Sequence, residues 1–210
     1  MQLNIEQVVN TAPVIPVLVI DDVSLALPLA QALCAGGLRV LEITLRTPQA
    51  PEAIELIRRE LPDAIVGAGT VVTENDLEKA LNAGSQFIVS PGTSPRLLDA
   101  VAASAVSFLP GVATPSEAMN LMEKGYFHLK FFPAEAAGGV AMLKSIYGPL
   151  PQLKFCPTGG INLETAPQYL ALPNVVCIGG SWMVPNDLVQ QHNWEQINRS
   201  AVAAAGLTAG

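Results

Sequence analysis

Charge is scarce in this 210-residue chain: charged side chains are 14% of the total, 11 of them basic and 18 acidic, for a net charge of −7. Soluble domains carry about a quarter. Apart from Arg58-Arg59 no basic residues adjoin, so the sequence lacks an electrostatic footprint for nucleic acid or for an anionic membrane surface, and neither partner is expected. Any anionic ligand must be held by local groups. Cysteine is equally sparse. Cys34, Cys156 and Cys177 are odd in number, widely spaced and form no CxxC pair, which argues against a disulfide or zinc framework and suits reduced thiols packed as small core residues. HExxH and DxDxDG signatures are missing, and two scattered histidines, His128 and His192, make no metal triad, so a metal-dependent mechanism has little sequence support. No apolar run approaches the ~18 residues needed to span a bilayer, and the first ten residues carry Glu6 rather than a basic leader. A soluble, cytoplasmic protein is expected. The low charge is also compatible with surface hidden by self-association.

What is abundant is apolar: half of the residues are hydrophobic, enough for one domain over residues 1–210 with a large core. Eight short β-branched or apolar runs recur: VIPVLVI from Val14, LRVLEIT from Leu38, AIVGAGT from Ala64, QFIVSPG from Gln86, SFLPGV from Ser107, FHLKFFP from Phe127, KFCPTGG from Lys154 and VVCIGGSW from Val175. Between them lie stretches with helical spacing, at 23–35, 48–60, 74–83, 95–103, 115–124 and 163–170, several opened by a Thr, Ser or Asn able to cap free N–H groups. Strands separated by helices pair in parallel through right-handed crossovers. Eight such units predict a (β/α)8 TIM barrel, compact against the usual length of about 250 residues. A short N-terminal helix and an Ala/Gly-rich C-terminal helix fraying into a tail complete it. A doubly wound open sheet is the alternative, but the first strand-to-helix turn reads IDDVS rather than GxGxxG, so its dinucleotide-binding form has no support.

Side-chain alternation then sorts the polar groups. In LRVLEITLR, Leu41, Ile43 and Leu45 share one face while Val40, Glu42, Thr44 and Arg46 share the other. The outer face of a parallel barrel packs against helices and cannot hold an unpaired carboxylate, so Glu42 and Arg46 are expected inside, toward the mouth where such folds keep their chemistry. A plain Glu42–Arg46 ion pair is weakened as an explanation by the ~13 Å that four residues span in an extended strand. Of five lysines, Lys130 alone lies within a strand, beside Phe131 and Phe132. A buried ammonium without a partner is costly, tends to lose its proton, and is then the amine nucleophile of Schiff-base chemistry. A structural pairing of Lys130 with Glu42 is the equal alternative. The last two strands end in Thr158-Gly159-Gly160 and Gly179-Gly180-Ser181, at the usual phosphate position of this architecture, although glycines also simply turn a chain. His128, two residues before Lys130, reads as an interior imidazole, and His192 has no motif around it.

At this point the chain resembles, from end to end, the bacterial 2-keto-3-deoxy-6-phosphogluconate (KDPG) and 2-keto-4-hydroxyglutarate (KHG) aldolases. The segments that carry the resemblance include GGLRVLEITLRTP, AIVGAGTV, FLPGVATPSE, LKFFPAEAAGG, KFCPTGGI and CIGGSW, in order and in spacing. The resemblance implies a class I, Schiff-base pyruvate aldolase, a homotrimer in the family, that needs no cofactor and acts on a small sugar acid. It further implies Lys130 as Schiff-base lysine, Glu42 as general acid/base, Arg46 as carboxylate anchor and Thr70 as a pyruvate contact. Gly159, Gly160, Gly180 and Ser181 would form the phosphate end, with Pro91, Phe132 and Thr158 lining the pocket. The rival expectations are a phosphosugar isomerase or decarboxylase on the same barrel, which would need no imine, and a sugar-acid binding protein without turnover.

Overall fold

Helix starts follow the capping chemistry written in the sequence. Thr73 accepts a hydrogen bond from the Asp76 amide at 3.1 Å while the Asp76 carboxylate takes the Thr73 amide at 3.0 Å, and Thr114 and Glu117 repeat the arrangement. Ser94 and Asp22 cap in the simpler way, through the amides of Leu97 and Ser24. Each cap satisfies donors that a first helical turn leaves free. Pro95 and Pro115 follow their caps at the first helical position, where a missing N–H costs nothing.

The computed structural model describes residues 3–208. Helix α1 (Ile5–Val9) precedes an alternating series: β1 (Val14–Leu18), α2 (Val23–Ala35), β2 (Val40–Thr44), α3 (Ala50–Glu60), β3 (Ile65–Gly69), α4 (Glu74–Asn82), β4 (Phe87–Val89) and α5 (Pro95–Ser104). Next come β5 (Ser107–Leu109), β6 (Gly111–Val112), α6 (Pro115–Glu123), β7 (His128–Phe131), α7 (Gly139–Tyr147), β8 (Lys154–Pro157), α8 (Ala166–Leu170), β9 (Ile178–Gly180), α9 (Asn186–Gln190) and α10 (Trp194–Ala205). The Ala/Gly-rich C-terminal segment is helical to Ala205 with Gly206 as its cap, and the last two residues of the expected tail lie outside the described residues. Among the described residues no helix is long and apolar enough to cross a membrane.

All strand pairs are parallel. One curled sheet runs in the order β5-β4-β3-β2-β1-β9 and a second in the order β6-β7-β8. The expected fifth strand is therefore two short ones. Pro110 stands between β5 and β6 and has no N–H to give a ladder, though its carbonyl still accepts the Lys130 amide at 2.8 Å. Isolated parallel bridges from Phe155 to Val175 and from Thr158 to Gly179 link β8 with the segment that ends in β9. The architecture is thus α/β with parallel sheets, in place of one uninterrupted eight-stranded ladder.

The two faces of the strands pack differently. Leu41 and Ile43 belong to the large cluster shared with the helices. Val40 joins Ile15, Phe87, Val89, Leu109, Cys156 and Cys177 in a smaller inner cluster, which Val8 and Val9 of α1 complete. This inner face holds glycines where its neighbours need room. A Cβ at Gly67 would sit 2.5 Å from the Phe87 ring, and one at Gly69 would sit 2.2 Å from Glu42 Oε1. The alternation in β2 is therefore as expected, with Glu42 and Thr44 on the inner face and wholly buried hydrophobes on the outer.

Candidate active site

The candidate residues gather toward the C-terminal ends of the strands: Glu42 within β2 and Arg46 after it, Thr70 after β3, Pro91 after β4, Lys130 near the end of β7 and Phe132 after it, Thr158, Gly159 and Gly160 after β8, Gly180 at the end of β9 and Ser181 after it. Parallel pairing makes these ends one common edge, which is why residues far apart in the chain can meet there.

Lys130 and Glu42 meet directly. The ammonium donates to Glu42 Oε1 at 3.0 Å and more weakly to Oε2 at 3.4 Å, and the two residues are 5% and 3% exposed. The lysine is thus not the unpartnered ammonium of the first sequence reading; the alternative pairing holds. A carboxylate on β2 reaches an amine on β7 because Gly69 contributes no side chain between β3 and Glu42. The Phe132 ring lies 5.5 Å from Lys130 Nζ, giving the amine one apolar, electron-rich wall. As their spacing along the chain implied, Glu42 and Arg46 do not pair. Arg46 is exposed, and its Nε donates to Thr70 Oγ1 at 3.1 Å. Thr70 itself has φ +59°, a left-handed conformation that a β-branched residue rarely adopts and that clusters at functional sites.

One buried thiol close to Glu42 is disfavoured as a nucleophile. The Cys177 thiol is hydrogen-bonded with Cys156, fully buried and close to the Glu42 charge, causes that in this order push its pKa well above the usual thiol value. It stays protonated, and a thiol is a far poorer nucleophile than its thiolate. His128, at the opposite end of β7, is half-buried between Glu6 and Lys154, and burial holds its pKa below the ordinary imidazole value despite the Glu6 charge. It stands away from the edge that carries Lys130.

The glycine turns differ from one another. Gly159 and Gly160 have φ of +106° and +82°, which only glycine adopts freely, and among the described residues no acceptor takes their N–H groups. Gly180 is glycine for another reason, since a Cβ there would collide with the Trp182 ring. Ser181 is exposed and borders a cavity of about 320 Å³ with Val17, Leu18, Asp21 and Asn186. Val17 is the register partner of Glu42, so this cavity lies one strand away from the ion pair. Thr158 is 6% exposed, and its side chain fills the space over Gly179. Gly69 was not singled out from the sequence, and Gly179 was read only as part of a glycine-rich strand end. Their signal was present as inward-facing glycines next to Glu42 and Thr158, but it has meaning only once the neighbouring strand is known.

The family model for KDPG and KHG aldolase matches residues 5–200. The chain belongs to that family. A 2-dehydro-3-deoxy-phosphogluconate aldolase of Pseudoalteromonas atlantica is 49% identical over 205 residues, covering 98% of this chain and 95% of the relative. The crystal structure of KDPG aldolase from Legionella pneumophila, with pyruvate captured as a covalent carbinolamine, superposes with a TM-score of 0.96 at 49% identity, over 98% of this chain and 100% of that one. The Zymomonas mobilis KDPG aldolase with 3-phosphoglycerate gives a TM-score of 0.93 at 45% identity, over 100% of this chain and 99% of that one.

In a member of this family the buried pair also has a cost in stability that can be measured. Replacing Lys130 by Met strands a buried carboxylate and should cost about 3–5 kcal/mol, whereas the double replacement Lys130→Met with Glu42→Leu should recover most of it. Urea unfolding of the three proteins checks this; equal losses in the single and double variants would mean that the pair is not coupled.

Proposed function

We propose that this chain is a class I aldolase that cleaves 2-keto-3-deoxy-6-phosphogluconate to pyruvate and glyceraldehyde 3-phosphate, and 4-hydroxy-2-oxoglutarate to pyruvate and glyoxylate. The observation that carries the reading is an amine and a carboxylate 3.0 Å apart, enclosed together at the strand ends with an aromatic wall beside the amine. The Legionella carbinolamine is the adduct that such an amine forms with pyruvate.

Cleavage of the C3–C4 bond leaves an electron pair on C3, and a protonated imine at C2 accepts it as an enamine. Lys130 forms that imine: its Nζ attacks the C2 carbonyl, and the carbinolamine loses water. To attack, the amine must first give up a proton, and Glu42 is within direct hydrogen-bond reach to take it. Glu42 passes that proton to the carbinolamine hydroxyl as it leaves as water; the regenerated carboxylate then removes the C4 hydroxyl proton as the aldehyde departs and delivers it to C3 of the enamine. Hydrolysis of the imine releases pyruvate and frees the lysine. Low exposure strengthens each of these electrostatic steps by excluding competing water. Cys177, held as a thiol, does not divert the carbonyl.

Arg46 offers a planar fork for the C1 carboxylate, and its bond to Thr70 aims the guanidinium across the strand edge. The free N–H groups of Gly159 and Gly160, with Ser181, suit a phosphate monoester at the far end of the substrate. Thr158, Pro91, Phe132 and Gly180 complete the walls of the pocket. We further infer that the two sheets close as a single-domain (β/α)8 barrel over residues 1–210, with β5 and β6 as one strand interrupted at Pro110; the bridges from β8 to the β9 segment support this. A cytoplasmic homotrimer belongs to the same proposal, supported by free cysteines, sparse charge and exposed apolar Val19, Val72 and Met119.

Pyruvate plus borohydride should add one covalent adduct, seen by intact mass and mapped to Lys130, and Lys130→Met should abolish it. An adduct persisting in that variant would remove Lys130 from the chemistry. Arg46→Lys should raise KM about tenfold or more while kcat changes less, because a point charge cannot reproduce the fork. An unchanged KM would exclude Arg46 as the carboxylate anchor.

A further inference from the structure

We propose that Glu135 and Tyr169, remote from the reacting carbon, are positioning residues that hold the Gly159-Gly160 turn in shape for the substrate's phosphate monoester. The inference rests on the aldolase reading above and adds what would keep its phosphate-binding turn in shape. Tyr169 lies on α8, is 1% exposed, and donates its hydroxyl to Glu135 Oε1 at 2.5 Å. Glu135 follows β7 in the chain, and the segment around it is laid against the glycine turn: the Ala134 amide donates to the Thr158 carbonyl at 2.8 Å and the Glu135 amide to the Gly159 carbonyl at 3.1 Å. The aliphatic stem of Glu135 covers Gly160 so closely that a Cβ there would lie 2.6 Å from its Cγ. On the other side Gly139, at φ +56°, leaves room for the hydroxyl, since a Cβ at that position would stand 3.0 Å from Tyr169 Oη. A carboxylate and a buried tyrosine thus clamp the loops after β7 and β8 together from behind the turn.

The arrangement also answers an electrostatic difficulty. A mobile carboxylate next to a phosphate site would repel its ligand. Here the tyrosine hydroxyl ties one carboxylate oxygen toward α8, while the turn's N–H groups remain without a protein acceptor among the described residues. Burial first, then the bond to Glu135 and its charge, push the Tyr169 hydroxyl far above the ordinary phenol range, so it remains a donor throughout the working pH range. Neither residue hydrogen-bonds to Lys130 or Glu42, so the clamp leaves the imine chemistry to that pair.

The test compares wild type, Tyr169→Phe, Glu135→Ala and Glu135→Gln on 2-keto-3-deoxy-6-phosphogluconate and on unphosphorylated 4-hydroxy-2-oxoglutarate, with thermal unfolding of each. Tyr169→Phe and Glu135→Ala should raise KM for the phosphorylated substrate about tenfold, leave its kcat within about twofold, and hardly alter either constant for the unphosphorylated one. Glu135→Gln, whose amide oxygen still accepts from Tyr169, should keep KM near wild type. Equal losses on both substrates, a glutamine variant as impaired as the alanine one, or an unchanged KM in all three would overturn the inference. So would failure of both Tyr169→Phe and Glu135→Ala to fold, which would make the contact purely structural. Borohydride trapping of pyruvate separates the two levels: no adduct in wild type defeats the aldolase reading itself, whereas trapping with an unmoved KM defeats only the clamp.

Discussion

The buried contact between Lys130 and Glu42 constrains nearly everything around it. Two opposite charges taken out of water are tolerated only when they face each other closely and their surroundings are fixed. Here one comes from β2 and the other from β7, so the sheets must hold two distant strands in register for the contact to exist at all. Glycines on the inner face of β3 make the space that the carboxylate occupies. Below the pair, thiols, Phe87 and the valines of α1 fill the interior with small and apolar groups, leaving the ions dependent on one another. Under the proposed mechanism that closeness lets Glu42 take the proton Lys130 must lose before it attacks a carbonyl, without exposing the amine to solvent.

Around this centre the parallel architecture supplies position and little else. Each strand delivers its last residues to the same edge, and the loops that follow carry the groups of the proposed site: Arg46 with Thr70 on one side, the glycine turn after β8 on another. The strained backbone of Thr70 and the positive φ of Gly159 and Gly160 fall at this edge, where conformations that local preference disfavours are held by tertiary contacts. The outer layer of leucine, isoleucine and alanine packs the strands against helices.

Much of this was legible in the sequence, for reasons that can be traced. All eight apolar runs became strand segments because parallel strands packed on both faces need β-branched residues in short blocks. Helices with a capping threonine, serine or aspartate began where their caps stand, as at Thr73, Thr114 and Asp22. Helix α7 escaped notice because it opens at Gly138-Gly139 with no side-chain cap to mark it. The break at Pro110 was written in the chain, but the apolar residues on either side of it concealed the interruption. Inward placement of Glu42 followed from alternation together with the cost of packing an unpaired carboxylate against helices. Its pairing with Lys130 stood only as one of two equal readings, since alternation says which face a side chain takes and nothing about which of several inward polar groups it meets. The same limit hid Gly69 and the tie between Glu135 and Tyr169, both of which exist only across neighbouring strands or loops.

The central claim is that Glu42 moves protons for an imine carried by Lys130, and exchange of the pyruvate methyl hydrogens in D2O, followed by NMR with no aldehyde present, tests it most directly. Enamine formation requires the imine, and each return to the imine delivers deuterium to C3, so the wild-type protein should deuterate the methyl group and Glu42→Gln should do so at least about 100-fold more slowly. Pyruvate that binds yet keeps its hydrogens, or a glutamine variant that exchanges them at the wild-type rate, would contradict the account.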